Sequence, residues 1–428
     1  MVFDKTRRFG PNAVDIPLDT CYEQAAPPAC GGKIRSMAAK FSLDQKRTIA
    51  ALSTSIAIRM LGIFLVLPVF TLYGEQFTNS KPLIGLAFGA YGLTNALLQV
   101  PFGRLSDRFG RKPLLLIGLA LHGVGSILAA IPTNIFALIA ARLIQGAGAI
   151  SSVAFALVAD SVEEGSRATA MAFLGIPIGL SFIGGILAGP AIASVAGYAS
   201  LFWLSGLLSM LATIYMAVAV KEPERDRLKS AAAADRPSVA AVLRVGDILK
   251  LDACGFLMSF FMSSFFFHFP LLARRYLPLG SYYVLLGPMV LMAAVVMFGA
   301  SGAADRGWAK ATGVAAFAVL SISGLLLFRS ADWGLQAHPL LALTIAGILF
   351  FSGFSSLEPI LPSLITKASP KTVYGTALGT YNTLQFLGSF AGGAAAGILG
   401  ALGNHFMLAG LLVAAALGVL LMAQVKTA

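Results

Sequence analysis

Carboxylates are scarce in this chain. Only 19 of its 428 residues are Asp or Glu, against 31 Lys and Arg, and charged residues of both signs make up 12% of the sequence. A soluble domain carries about a quarter charged residues, so the composition excludes one. There are three cysteines. Cys21 and Cys30 stand in a polar N-terminal stretch and Cys254 in an apolar run, which argues against a disulfide framework. Metal binding by Cys21 and Cys30 stays open beside a plainly disordered tail. No His, Cys, Asp and Glu group stands at metal-ligand spacing within the apolar runs. No phosphate-binding glycine loop is present. No nucleophile–base pair can be assigned either, so neither an enzyme nor a cofactor is expected. The N-terminus lacks the apolar run of a secretory signal.

What is abundant is apolar length. Hydrophobic residues make up 57% of the chain and the mean hydropathy is +0.82. A membrane-spanning helix needs about 20 mostly apolar residues, and in lipid only helices and closed barrels satisfy their own backbone. The apolar runs here, rich in Leu, Ala, Gly and Phe, predict about twelve helices. The first six lie near 49–73, 83–103, 114–131, 135–158, 168–195 and 199–220. The second six lie near 251–273, 283–303, 312–328, 339–361, 374–400 and 405–425. The expected fold is therefore an all-α membrane protein with two six-helix bundles. A polar tail (1–45) precedes the first bundle (46–220), and a charged segment (221–250) separates it from the second (251–428). Of the Lys and Arg outside spans, all but Lys81, Arg274, Arg275 and Arg329 fall on one side. That places both termini and the central segment on the cytoplasmic side. The net charge of +12 follows from this flanking pattern, and no nucleic-acid partner is needed to explain it.

Ionisable residues inside spans are few, and each costs at least about 2.5 kcal/mol in hydrocarbon. They are Arg59 in span one, Arg142 in span four, His268 in span seven and Glu358 in span ten. Glu358 reads as the one carboxylate deep in a span. Beside an arginine in low dielectric it can alternate between paired and protonated, the minimum for coupling protons to a conformational change. A permanent structural ion pair is the other reading. His268 either titrates or is a neutral imidazole bonded to a backbone carbonyl. Asn95, Gln99, Gln145, Tyr381, Asn382 and Gln385 are candidates for polar contacts in a central cavity. The aromatic run Phe260–Phe269 puts rings on every face of span seven, so most serve packing or lipid contact; any facing inward favour a lipophilic cargo. Glycines recur at short spacing in four spans, among them Gly85 and Gly89, Gly175 and Gly179, Gly287, and Gly388 and Gly392. That spacing allows close helix approach, as static packing or as a sliding interface.

The stretch Gly103-Arg104-Leu105-Ser106-Asp107-Arg108-Phe109-Gly110-Arg111-Lys112-Pro113 is a basic loop between spans two and three. It resembles the G-x-L-a-D-R-x-G-R-K signature of the major facilitator superfamily. Asp305-Arg306-Gly307 with Lys310 looks like a worn second copy after span eight. Arg142-Leu143-Ile144-Gln145-Gly146-Ala147-Gly148 is similar to the superfamily's R-x-x-Q-G-x-G. Arg59-Met60-Leu61-Gly62, Tyr91-Gly92-Leu93-Thr94 and Glu358 through Ile365 resemble the YajR-type branch. Gly189-Pro190 continues as Ala191-Ile192-Ala193-Ser194, without the closing glycines of the antiporter signature.

The resemblance implies a proton-coupled secondary transporter of a bacterial inner membrane working by alternating access, with a lipophilic compound as exported cargo. It implies that Gly103, Asp107, Arg108, Gly110, Arg111 and Lys112 gate the conformational change, with Asp107 meeting the N-terminus of helix eleven. Asp160 with Arg167 would extend that charge network. It also implies that Arg142 faces the cavity and takes part in proton transfer with Glu358, Arg59 and His268. The length and polar tail resemble the superfamily's magnetosome-membrane permeases, which implies iron or an iron chelate as the alternative cargo. A transport-inactive scaffold or sensor of the same fold is the remaining class. Oligomeric state is not readable from the sequence.

Overall fold

A computed structural model describes residues 42–161, 167–220, 246–329, 338–369 and 374–426, with backbone alone for 43–44, 159, 167–174 and 374–375. The expectations for the N-terminal tail, Cys21, Cys30 and the central segment 221–245 lie outside these residues. The described chain is helical throughout.

Helix α1 (Leu43–Val66) starts at a capping box: Gln45 N–H donates to Ser42 Oγ at 3.2 Å and Ser42 N–H to Gln45 Oε1 at 2.9 Å. Both otherwise orphaned donors are thereby satisfied. Span one was expected as a single helix to 73. It breaks at Leu67-Pro68-Val69 and resumes as a short helix, Phe70–Gly74, because proline has no N–H to continue the ladder.

The remaining helices of the first half are α2 (Lys81–Phe109), α3 (Arg111–Ala130), α4 (Ile135–Gly146, resuming as Ser151–Ser161), α5 (Arg167–Ala196) and α6 (Ala199–Ala219). The second half holds α7 (Gly246–Ala273), α8 (Tyr283–Ala303), α9 (Ala309–Arg329), α10 (Pro339–Ala368), α11 (Tyr374–Leu402) and α12 (Asn404–Ala423). Eleven stretches of the described residues are long and apolar enough to cross a membrane, and one, Leu279–Arg329, has 51 residues. Laid straight it would run about 76 Å, far beyond a hydrocarbon core of about 30 Å. It divides into α8 and α9 at Gly307, whose φ of 88° suits glycine alone.

Gly110 does the same work between α2 and α3. The expected loop 103–113 is not a loop. Helix α2 continues through Phe109, α3 begins at Arg111, and only Gly110, at φ 105°, is outside a helix.

The halves meet chiefly through α11, which packs against α2 on one side and α7 on the other. Glycines make both contacts close. A Cβ at Gly89 would stand 2.6 Å from the Phe390 carbonyl oxygen, and one at Gly92 2.6 Å from that of Phe386. Gly388 and Gly392 lie against the backbone of Phe256 and Phe260. The phenylalanine run of α7 is largely buried packing: Phe265 stacks on Phe350 of α10 at 4.0 Å, and Phe266, Phe267 and Phe269 are fully buried.

Gly175 and Gly179 of α5 and Gly287, Gly299 and Gly302 of α8 behave differently. No atom of another element stands within 4 Å of where their Cβ would be. The same small-residue signal thus marks a closed contact between α2 and α11 and open space along α5 and α8. Gly89→Val is expected to overpack the first, at about 1–3 kcal/mol, and to lower the melting temperature in detergent. Gly179→Val should leave it unchanged; equal melting of both variants would refute this account.

Candidate functional site

The basic signature builds a network inside the first half. Arg111 is 2% exposed. Its guanidinium pairs with Asp107 at 2.6 Å and with Asp160 of α4 at 3.0 Å, and also donates to Ser106 Oγ. Lys112 donates to the carbonyl of Ala217, at the end of α6, at 2.7 Å. Helices α2, α3, α4 and α6 are therefore clamped at one end of the molecule, here called the basic end. Arg108 is exposed, its guanidinium 5.4 Å from the Phe109 ring centroid. Gly103 faces Ser152, with 3.6 Å between a would-be Cβ and Oγ. Asp160 pairs with Arg111; its expected contact with Arg167 falls on a side chain outside the described residues.

At the opposite end the halves are bridged. Arg274, following α7, forms a two-pronged ion pair with Glu75 of the first half. Lys81 donates to the Gly400 carbonyl at 3.3 Å. Phe88 meets Phe267, and Phe182 of α5 stacks on Phe354 of α10. Cross-half contacts thus gather at the Glu75–Arg274 end, while Gly175 and Gly179 of α5 and Gly299 and Gly302 of α8, which meet no atom of another element, lie toward the basic end.

Arg59 and Arg142 come together, but not with Glu358. Both point at Tyr91. Arg59 donates to Tyr91 Oη at 2.6 Å, and its guanidinium lies 6.0 Å from the ring centroid. The Arg142 guanidinium sits 5.1 Å from the same ring and 5.0 Å from that of Phe70, and donates to Gln145 Oε1. Among the described residues neither arginine forms an ion pair. Ring faces, each worth about 2 kcal/mol to a desolvated cation, stand in for carboxylates. Gln145 passes the chain on to Ser126 at 2.8 Å.

Gly146 lets α4 lie directly on the backbone of Tyr91, and Gly148 lies on that of Gly118. The glycines of R-x-x-Q-G-x-G therefore serve helix approach. Asn95, Gln99 and Gln145, expected to line a cavity, are at most 1% exposed; Asn95 and Gln145 belong to this enclosed cluster. The cluster also contains His122, fully buried beside Tyr91, which the sequence reading missed. An ionisable residue in the apolar run of span three was signal enough to find it.

The second half carries the acidic site. On α10, Phe351, Phe354 and Ile365 lie on the same face as Glu358, four or seven residues away, and are 0%, 8% and 0% exposed. Glu358 on that buried face is nonetheless accessible. It therefore faces space between the halves rather than lipid, which the Leu341, Ile345 and Ser363 stripe addresses. The expected arginine partner is absent: among the described residues Glu358 has no ion pair or hydrogen bond. Gln385 Nε2 donates to Tyr381 Oη at 3.0 Å, and Asn382 and Gln385 are partly exposed while Tyr381 is 2% exposed.

His268 is elsewhere. It lies near the Glu75–Arg274 end, with Nδ1 3.1 Å from the Ser264 carbonyl and its ring edge-on to Phe328. A second carboxylate was overlooked: Asp252 of α7 is fully buried. The predicted span began at 251, which put Asp252 at a membrane surface, whereas α7 begins at Gly246.

Comparison with known proteins agrees with this architecture. The family model of the Major Facilitator Superfamily matches residues 52–393. The inner membrane transport protein YajR of Escherichia coli K12 is 35% identical over 88% of this chain and 83% of its own. The class B tetracycline resistance protein of Escherichia coli is 29% identical over 39% of this chain and 42% of its own. Among solved structures, a bacterial homologue of the human lysosomal transporter Spinster, inward-facing and occupied, superposes with a TM-score of 0.68 at 14% identity. It covers 89% of this chain and 97% of its own, a likeness of fold. With eleven apolar stretches of membrane-spanning length among its described residues and a family match across most of its length, the chain is a multi-pass membrane transporter of the Major Facilitator Superfamily.

Proposed function

We propose that this transporter is a proton-coupled antiporter that exports lipophilic cations across a bacterial inner membrane, with both chain termini in the cytoplasm. The observation that carries the reading is Glu358, an accessible carboxyl without a partner on an otherwise buried aromatic face. One carboxylate can hold a proton or the positive charge of a cargo, but not both at once. Competition of that kind is sufficient for exchange between two states of a rocking protein. The partly exposed ring of Phe182, stacked on Phe354, offers an aromatic surface to a lipophilic cation.

The buried Arg59 and Arg142 make the first half electropositive, which keeps protons and cationic cargo on the second. The Lys and Arg distribution puts the basic end in the cytoplasm, so the described state is inward-facing, closed at the Glu75–Arg274 end.

An iron chelate is the competing cargo. As an anion it would have to reach Arg59 and Arg142, which are 0% and 7% exposed. A bare ion would need ligands, and no group of three or more His, Cys, Asp or Glu is assembled among the described residues. The test uses proteoliposomes holding a pH-sensitive dye under an imposed proton gradient, offered ethidium and iron citrate in turn. Dye response to ethidium alone is expected. Response to iron citrate alone would replace this reading with an iron permease, and response to neither would favour a scaffold or sensor.

A further inference from the structure

We propose that Asp252 is a second proton-carrying group, through which the proton on Glu358 reaches the basic end of the transporter by way of Tyr381. The inference deepens the coupling reading above and rests on it.

The placement is stepwise. Asp252 stands six residues into α7, about 9 Å from the basic end. Glu358 stands ten residues from the matching end of α10, about 15 Å. Tyr381 bridges the two levels. It starts seven residues into α11, about 10 Å deep. Its hydroxyl reaches one turn higher, to Gln385 Nε2 at 3.0 Å. Its ring packs against Gly255, one turn from Asp252, where a Cβ would stand 2.4 Å from Tyr381 Cε2. Both carboxyls, with Cys254, act electrostatically on this tyrosine.

Asp252 itself is built for two protonation states. It is fully buried, and neither carboxyl oxygen has a hydrogen bond of normal geometry. The Thr380 hydroxyl faces it but spends its proton on the Ala377 carbonyl, at 2.8 Å. Thr380 in that rotamer offers only a lone pair, which suits a protonated Asp252; turned toward Asp252 it donates, which suits the carboxylate. A carboxyl held only for structure would be expected to show a fixed donor, since an unpaired buried charge costs several kcal/mol.

The step conserves protons. Glu358 gives one proton to the Tyr381 oxygen as the Tyr381 hydroxyl passes its own, across bridging water, to the Asp252 carboxylate. Glu358 is left ionised, Asp252 neutral and the phenol restored.

Infrared difference spectroscopy of the full-length protein in detergent, after a pH jump, reads both groups without a cargo. Two carboxyl C=O bands are expected. Glu358→Gln should delete one and Asp252→Asn the other, and Asp252→Glu should restore a band at a new position. In Glu358→Gln the Asp252 band should titrate about one pH unit away from its wild-type midpoint, as interacting sites do. A wild-type spectrum without the Glu358 band would overturn the coupling reading and this inference with it. A spectrum holding the Glu358 band but unchanged by Asp252→Asn, or an Asp252 band indifferent to Glu358→Gln, would overturn the Asp252 assignment alone.

Discussion

Glu358→Gln is expected to abolish proton-driven uptake of ethidium, by at least about 100-fold, the usual scale for removing a positioned proton carrier. The protein should remain folded. Glu358 touches no ion-pair partner among the described residues, and its neighbours Phe351 and Phe354 keep their packing. Glutamine matches its size and removes an ionisable group from the membrane interior, which relieves a cost rather than adding one. Aspartate at 358 keeps the charge but draws it back by one methylene, so partial activity is expected.

Binding separates two roles. If the carboxylate also holds cargo charge, Glu358→Gln weakens ethidium binding while leaving a neutral lipophilic probe unaffected. The measurement is dye-reported proton flux beside equilibrium binding in detergent. Full flux in Glu358→Gln would remove this residue from the mechanism and leave the antiport reading without its carrier.

The second large effect is structural. Arg111→Leu should destabilise the first half by about 3 kcal/mol, the lower end of the range for breaking a buried pair. The lower end applies because Asp107 and Asp160 keep 25% and 17% of their surface exposed. The leucine leaves two carboxylates facing one another across the gap between α2 and α4, without the guanidinium that joined them. Adding Asp160→Asn should recover most of the loss, because it removes the like-charge repulsion that the first change created. Thermal unfolding in detergent reads both variants. A single variant that melts within about 1 °C of the wild type would show that the network contributes nothing to stability.

Proline and glycine were the most readable signals for helix breaks, but only where the backbone needed them. Gly110 and Gly307 end helices at φ values glycine alone adopts freely. The Leu67-Pro68-Val69 break inside span one was equally readable and was passed over in favour of apolar length. Asp107 and Arg111 were visible as a signature, yet they were read as loop residues. A basic stretch between apolar runs looks the same whether its cations face water or, as with Arg111, insert between helices. Asn95, Gln99 and Gln145 show the matching limit: amides in spans mark helix-facing surfaces, and nothing in their spacing tells a cavity from a packed cluster.

The residues in chain order determined the class, the number of spans, their division into two halves and the short set of ionisable groups inside them. The class and the spans follow from local length, polarity and charge, which the membrane reads one segment at a time, whereas the place of Asp252 within a span depended on where α7 begins. Only the tertiary structure decided which of those groups meet. Arg59 and Arg142 converge on Tyr91, and Glu358 stands apart on an accessible face. Asp252, set 106 positions before Glu358, is buried one turn from Gly255, against which Tyr381 of a third helix packs. Such meetings depend on how helices distant in sequence cross and rotate, set here by glycines that let α11 sit against both α2 and α7.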